Sequence, residues 1–322
     1  MCVTAMPLSA TKILKDSASR QPARTTIATS AQVQGLSGGG GNNRNSNGHH
    51  HRNAGEPTRP QHTSIMMVRM IGDEFLTEER DRKYYADHYT CCPPPLFIIL
   101  ITLVELGFFA YYTAAMGGVN PSGPVPIDSV FIYRPDKRLE LWRFAFYMFL
   151  HAGWLHLLFN LGVQVVVGLP LEMVHGSLRI AAVYMAGVLA GSLGTSVFDT
   201  DVYLVGASGG VYALLAAHLA NVLLNYNNME FGIVRLIGIF VIASADVGFA
   251  IYDRYAAEQM GPPVSYVAHL TGALAGLTIG LLVLKNFEQR LHEQLLWWVA
   301  LGVYAACTIF AIMYNLMHPD YP

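Results

Sequence analysis

From about residue 94 onward the chain alternates uncharged apolar runs with short polar breaks. The runs fall at about 95–116, 150–170, 178–198, 203–225, 232–251, 264–285 and 296–316. About 20 consecutive apolar residues cross the ~30 Å hydrocarbon layer of a bilayer as a helix, and only a helix or a closed barrel satisfies its backbone there. The pattern therefore predicts seven transmembrane helices. The fifth run is the most polar of them, with Arg235 and Asp246 in or beside it. Between the first two runs lies a longer connection, 117–149. Its Pro121, Pro124, Pro126 and Pro135 interrupt helices, while Trp142, Phe144, Phe146 and Tyr147 suit the headgroup region, so the loop is expected to lie partly in the interface.

Ahead of the first run the pattern disappears. Residues 1–64 are rich in Ser, Thr, Asn, Gly and Pro and include Gly38-Gly39-Gly40-Gly41. Such a segment buries too little apolar surface to offset its ordering entropy, and a disordered cytoplasmic tail is expected. Residues 65–94 turn mixed and charged and read as a cytoplasmic juxtamembrane segment with a short helix. No apolar core of a signal peptide is seen, and Lys12, Lys15, Arg20 and Arg24 against Asp16 resemble a mitochondrial leader only faintly. The flanking positives favour a cytoplasmic amino terminus. Arg80, Arg82, Lys83, Arg179, Arg235, Lys285 and Arg290 then lie inside, against Arg134, Lys137, Arg138, Arg143 and Arg254 outside.

Composition narrows the function further. Of the 322 residues 53% are hydrophobic and 13% charged, and the net charge of −2 gives no reason to expect nucleic acid. The four cysteines, Cys2, Cys91, Cys92 and Cys307, form no CxxC pair, so neither a disulfide framework nor a thiolate zinc site is expected. Cys91 and Cys92, beside the first run, suit palmitoylation or simple packing. His49, His50 and His51 sit in a polar tract without partner ligands, and no metal or other cofactor is expected.

The candidate chemistry is in the second, fourth and sixth runs, which travel in the same direction across the layer. Ser208, in Gly206-Ala207-Ser208-Gly209-Gly210, and His269, in AHLTGALAG, each lie five residues into their runs. At about 1.5 Å per residue they share a depth of roughly 7 to 8 Å. Glycines recur every four residues at Gly272, Gly276 and Gly280, and at Gly206 and Gly210, so two small-residue faces are expected to pack closely. That contact would bring a hydroxyl to an imidazole, the nucleophile and base of acyl transfer. In HAGWLHLLFN, His156 and Asn160 share a helical face as candidate oxyanion donors beside the Ser208 amide. His151 is expected about 140° round an ideal helix from His156, facing elsewhere. Asp246 stands in a run travelling the other way and is given no catalytic part, and His175 and His218 read as structural.

HAGWLHLLFN, GASGGVYAL and AHLTGALAG in this order, with Glu140-Leu141-Trp142-Arg143 in the first loop, resemble the rhomboid family of intramembrane serine proteases over about residues 95–290. The resemblance implies an all-α polytopic membrane protein: a six-helix rhomboid core at 95–290 plus one extra carboxyl-terminal transmembrane helix within 291–322, as in animal secretory-pathway (secretase) members. It implies that Ser208 is the nucleophile and His269 the base of a dyad, with His156, Asn160 and the Ser208 amide, beside Gly209, as the oxyanion hole. Tyr212 would stack on His269. Trp142, Arg143, Glu172 in Gly168-to-Gly176, His151, Gly206, Gly272 and Gly276 would be structural. Silent relatives carry proline before the serine or lack the dyad; Ala207 here favours activity.

The expected partners follow from the same resemblance. They are the lipid bilayer and single-pass membrane proteins, in particular growth-factor precursors of the epidermal growth factor (EGF) type, whose ectodomains would be released in Golgi, endosomal or plasma membrane. The alternative is a catalytically silent substrate-binding or trafficking scaffold on the same fold. A zinc protease would require HExxH, which HxxxxHxxxN does not supply. A polar cavity opening from the outer face is expected, to bring water to the dyad.

Overall fold

A computed structural model of the chain describes residues 66–73, 76, 79–89, 94–121, 123, 125–225, 232–255, 265–284 and 291–317. The expected amino-terminal tail, His49 to His51 and Cys91 and Cys92 lie outside the described residues. Among the described residues there are helices and two isolated bridges but no strand. After a short helical stretch at 66–73, α1 is Glu79–His88 and α2 is Leu96–Met116. Next come α3, Gly153–His175, α4, Ser177–Phe198, and α5, Ser208–Asn225. The last three are α6, Gly232–Tyr255, α7, Tyr266–Val283, and α8, Leu291–Met317.

Each of the seven apolar runs corresponds to one of the helices α2 to α8. Five of them, α2, α3, α4, α7 and α8 from Trp297 onward, contain long enough apolar stretches to cross a membrane. The start of α5 differs from expectation: residues 203–207 precede the helix in non-helical backbone, and Ser208 is its first residue. Those residues are as apolar as the helix, so hydropathy cannot separate them. Eighteen helical residues span about 27 Å, slightly less than the hydrocarbon layer.

The helix α5 runs through the centre. Ala213, Leu214, Ala217 and Val222 are all 0% exposed, whereas only 17% of the α2 span and 11% of the α8 span is buried. Outer helices with apolar, exposed faces such as Leu103, Val104, Ile309 and Phe310 suit a hydrocarbon solvent. The polar groups turn inward and pair. Glu105 of α2 accepts hydrogen bonds from Gln164 Nε2 at 3.0 Å and Tyr184 Oη at 2.9 Å, and Gln164 also donates to Thr102 at 2.8 Å. Gln164 opens a five-residue π-helical stretch, Gln164–Gly168, within α3. Lower in α3, the Glu172 carboxylate accepts the Phe97 and Ile98 amides at 2.7 and 2.8 Å, satisfying the first turn of α2.

The loop between α2 and α3 is folded around Arg143, 3% exposed, which donates to Glu140 at 2.6 Å and to the Ser129 and Ile132 carbonyls at 3.1 and 2.7 Å. Trp142 Nε1 donates to the Val130 carbonyl at 3.1 Å. A reciprocal pair of backbone bonds, Tyr133 to Leu204 at 3.2 and 3.1 Å, joins this loop to the segment leading into Ser208. Leu139, Leu141 and Trp142 remain exposed at its edge.

Candidate active site

Ser208 is positioned by the turn before it. The Gly206 amide donates to the Tyr147 carbonyl at 3.2 Å, and Gly206 has φ +109°, a backbone region that favours glycine. A methyl group there would also overlap the imidazole of His156. The chain then turns into α5, where Gly210 and Val211 both donate to the Ala207 carbonyl at 3.0 Å. The Ser208 and Gly209 amides come ahead of these first bonds, at the end of a helix where N–H groups lack intrahelical partners. Ser208 itself is buried.

The helix α7 lies against α5 along small residues. A Cβ on Gly272 would come to 2.5 Å from the Gly209 carbonyl oxygen, a Cβ on Gly276 would overlap the Ala213 backbone, and one on Gly280 would sit 2.8 Å from Ala217 Cβ. The matched order makes the two helices parallel. The α5 face of this seam is therefore Gly209, Ala213 and Ala217, not the expected Gly206 and Gly210. Gly206 lies before the helix, and Gly210 is turned about 100° from Gly209, facing the Tyr184 ring. His269, 4% exposed, lies one turn before Gly272, and Ser208 is next to Gly209, so the two stand at one level of the seam. The Tyr212 ring stacks on the His269 imidazole at 4.6 Å and 11°.

From α3 come His156 and Asn160, both buried. Asn160 Nδ2 gives one of its protons back to the His156 carbonyl at 2.8 Å, leaving the other for a further acceptor. His151 does not face away from His156: their rings meet edge to face at 5.3 Å. The ideal-helix angle fails because α3 begins at Gly153, after His151.

Asp246 is the residue that sequence reasoning set aside. Its Oδ2 lies 3.6 Å from His269 Nδ1, and both side chains are buried. Neither nitrogen of the His269 ring has a hydrogen-bond partner, and neither has Asp246 Oδ2. The signal that could have found it was an ionisable residue in an otherwise apolar run, which starts with a functional expectation. A cavity of about 550 Å³ adjoins the site between α6 and α7, lined by Tyr212, Val247, Ile251, Tyr266, His269, Leu270 and Ala273. It is mainly apolar, because α6 and α7 turn aliphatic side chains toward it.

Comparison with known proteins shows which family the chain belongs to. The family model described as "Rhomboid domain" matches residues 138–286. Rhomboid-related protein 2 of Mus musculus is 44% identical over 77% of this chain and 84% of its own length. The chain belongs to the rhomboid family. Rhomboid-related protein 3 of Homo sapiens is 43% identical over 79% of this chain, an alignment that spans 64% of that protein, somewhat under two thirds. A Caenorhabditis elegans relative at 35% identity over 66% of this chain bears the name Inactive rhomboid-related protein 2.

Within this rhomboid chain the matched region runs from the Arg143 loop to just past the end of α7 and includes His156, Asn160, Ser208, Tyr212, Asp246 and His269. His175 and His218 are buried, in α3 and α5. Among the described residues no group of three or more His, Cys, Asp or Glu side chains is arranged to hold a metal ion. A buried hydroxyl at a helix start, an imidazole at the same level and helix-terminal amides beside two polar side chains is an arrangement able to support acyl transfer.

Proposed function

We propose that this rhomboid is an intramembrane serine endopeptidase with a Ser208–His269 dyad. The observation that carries the reading is the α5–α7 seam. Backbone contact at Gly209 and Gly272 holds a buried serine and an unpartnered histidine at one level, with Tyr212 fixing the ring plane. In this reading His269 Nε2 takes the Ser208 proton as Oγ attacks the scissile carbonyl. The imidazolium then returns that proton to the leaving amine, and water repeats the sequence on the acyl enzyme. The Ser208 and Gly209 amides, with the second Asn160 proton and His156, would receive the oxyanion.

The substrates are single-pass membrane proteins, with EGF-type growth-factor precursors the leading class. A peptide bond inside a stable helix is shielded from attack, so targets with helix-breaking residues near the outer end of their membrane segment are favoured. The amino terminus is cytoplasmic, and the compartment is Golgi, endosome or plasma membrane. The alternative, a silent scaffold, is favoured by a relative named as inactive; retention of both Ser208 and His269 supports the enzyme.

The test co-expresses an epitope-tagged single-pass growth-factor precursor with wild type, Ser208→Ala and His269→Ala at matched levels. Shed ectodomain in the medium is expected from wild type alone. Equal release with all three would remove the protease reading and leave the scaffold.

A further inference from the structure

We propose that Asp246 is a positioning residue for His269, accepting the Nδ1 proton and so presenting the Nε2 lone pair to Ser208. The inference rests on the protease reading above and deepens it from a dyad to a dyad with a carboxylate supplied by α6.

Three observations carry it. The first is distance: Asp246 Oδ2 stands 3.6 Å from Nδ1, slightly beyond a hydrogen bond. Catalytic hydrogen bonds are often longer than ideal at rest and tighten along the reaction. The second is the unpaired state of the facing atoms, although the Tyr212 hydroxyl also reaches the Asp246 carboxyl group. Both ring nitrogens and Asp246 Oδ2 are buried without hydrogen-bond partners, and a buried acceptor left unmade costs about 1–3 kcal/mol. A short closure of α6 on α7 would satisfy donor and acceptor together. The third is how Asp246 is aimed. Tyr212, whose ring covers the imidazole, donates from its hydroxyl to the Ala243 carbonyl at 3.3 Å, and Ala243 is three residues before Asp246 on α6. One side chain of α5 thus clamps the imidazole plane and anchors the turn of α6 that carries the carboxylate.

The chemistry follows from the tautomer. A neutral imidazole has one N–H and one lone pair, and only the form protonated at Nδ1 can act as base through Nε2. Tyr212 stacking fixes the ring plane but does not choose between the tautomers. A carboxylate at Nδ1 does, and it stabilises the imidazolium formed when the serine proton moves to Nε2. The Nδ1 proton stays on nitrogen throughout.

The experiment uses the full chain in detergent micelles and a fluorescent fluorophosphonate, which loses fluoride to an activated serine. Wild type, Ser208→Ala, Asp246→Asn and Asp246→Glu are compared at equal folded concentration, checked by thermal unfolding. Labelling of wild type and none of Ser208→Ala upholds the dyad; equal labelling of both removes the protease reading and this inference with it. With the dyad upheld, Asp246→Asn is expected to lower the maximal labelling rate on the order of 10- to 100-fold without changing the half-saturating probe concentration. That is less than the ~10⁴ lost when the same change is made in a soluble triad, because Tyr212 still holds the ring. The ionisable groups facing the imidazole are Tyr212 from α5, Asp246 from α6 and His156 from α3. Removing the carboxylate should move the acid limb of labelling to lower pH, which simple loosening of the fold would not do. Asp246→Glu, which keeps the charge, should recover most of the rate. An Asp246→Asn protein that labels at the wild-type rate with an unmoved acid limb, or a folded Asp246→Glu protein as slow as Asp246→Asn, overturns the inference.

Discussion

Gly272 of α7 meets the backbone of Gly209 in α5 so closely that an added Cβ would come to 2.5 Å from its carbonyl oxygen and 3.0 Å from its Cα. Backbone cannot swing aside as a side chain can, so a methyl group must part the two helices. Gly272→Ala should lower stability by about 1–3 kcal/mol through overpacking and separate Ser208 from His269. Gly302 in α8 provides the control, since nothing lies within 4 Å of its would-be Cβ, and Gly302→Ala should be neutral to stabilising by up to about 1 kcal/mol. Thermal unfolding in detergent measures both; equal melting temperatures would remove the claim that this seam is closed by glycine.

The bonds from Glu172 to the Phe97 and Ile98 amides, 2.7 and 2.8 Å, place a carboxylate of α3 at the start of α2. The positive end of a helix favours that charge, and Ile98 is fully buried. Glu172→Ala leaves two amides without an acceptor and should cost about 2–3 kcal/mol, while Glu172→Gln, keeping one acceptor, should cost less. Chemical denaturation in micelles ranks the two. Glu172→Ala as stable as wild type would show that water or lipid headgroups replace the carboxylate.

Much of this fold was legible because hydrocarbon imposes one strong rule, that about 20 apolar residues make a helix, and the runs obey it. What escaped was everything that depends on rotation about a helix axis or on where a helix begins. Residues 203–207 are as apolar as α5, so hydropathy could not show that Ser208 opens the helix, and the seam residue was assigned as Gly210 instead of Gly209. His151 was assigned an angle on a helix that it precedes. Asp246 was set aside by the direction of its run, although direction does not determine which neighbour a side chain faces.

Activity should depend on pH through His269. A base works only unprotonated, so the rate should fall about tenfold per unit once the pH is below the imidazole's own pKa. Acid loosening of the first loop is a separate event. The hydrogen bond from Arg134 holds the Asp136 carboxyl below the usual carboxylate range. Its stabilisation is therefore present at neutral pH and is lost only as the pH falls through that lowered value. The pair is also exposed, so its contribution is small. A pH profile of shedding in proteoliposomes, paired with unfolding at each pH, should show reversible loss of rate while the protein stays folded. Loss of rate only where the protein unfolds would take His269 out of the reaction.

The oxyanion assignment can be separated from folding at His156. Its imidazole packs on Gly206, whose φ of +109° is strained for any other residue, so Gly206→Ala should damage both fold and rate. His156→Ala removes the ring without touching that backbone. If the imidazole is a full donor to the developing charge, kcat should fall about 100- to 1000-fold with KM nearly unchanged. Asn160→Ala should behave alike, since one Nδ2 proton is held by the His156 carbonyl and the other is the donor in question. Steady-state cleavage of a reconstituted single-pass substrate separates the two constants. A near-normal kcat in either variant would move that side chain from charge stabilisation to packing and leave the helix-terminal amides of Ser208 and Gly209 to bear the oxyanion.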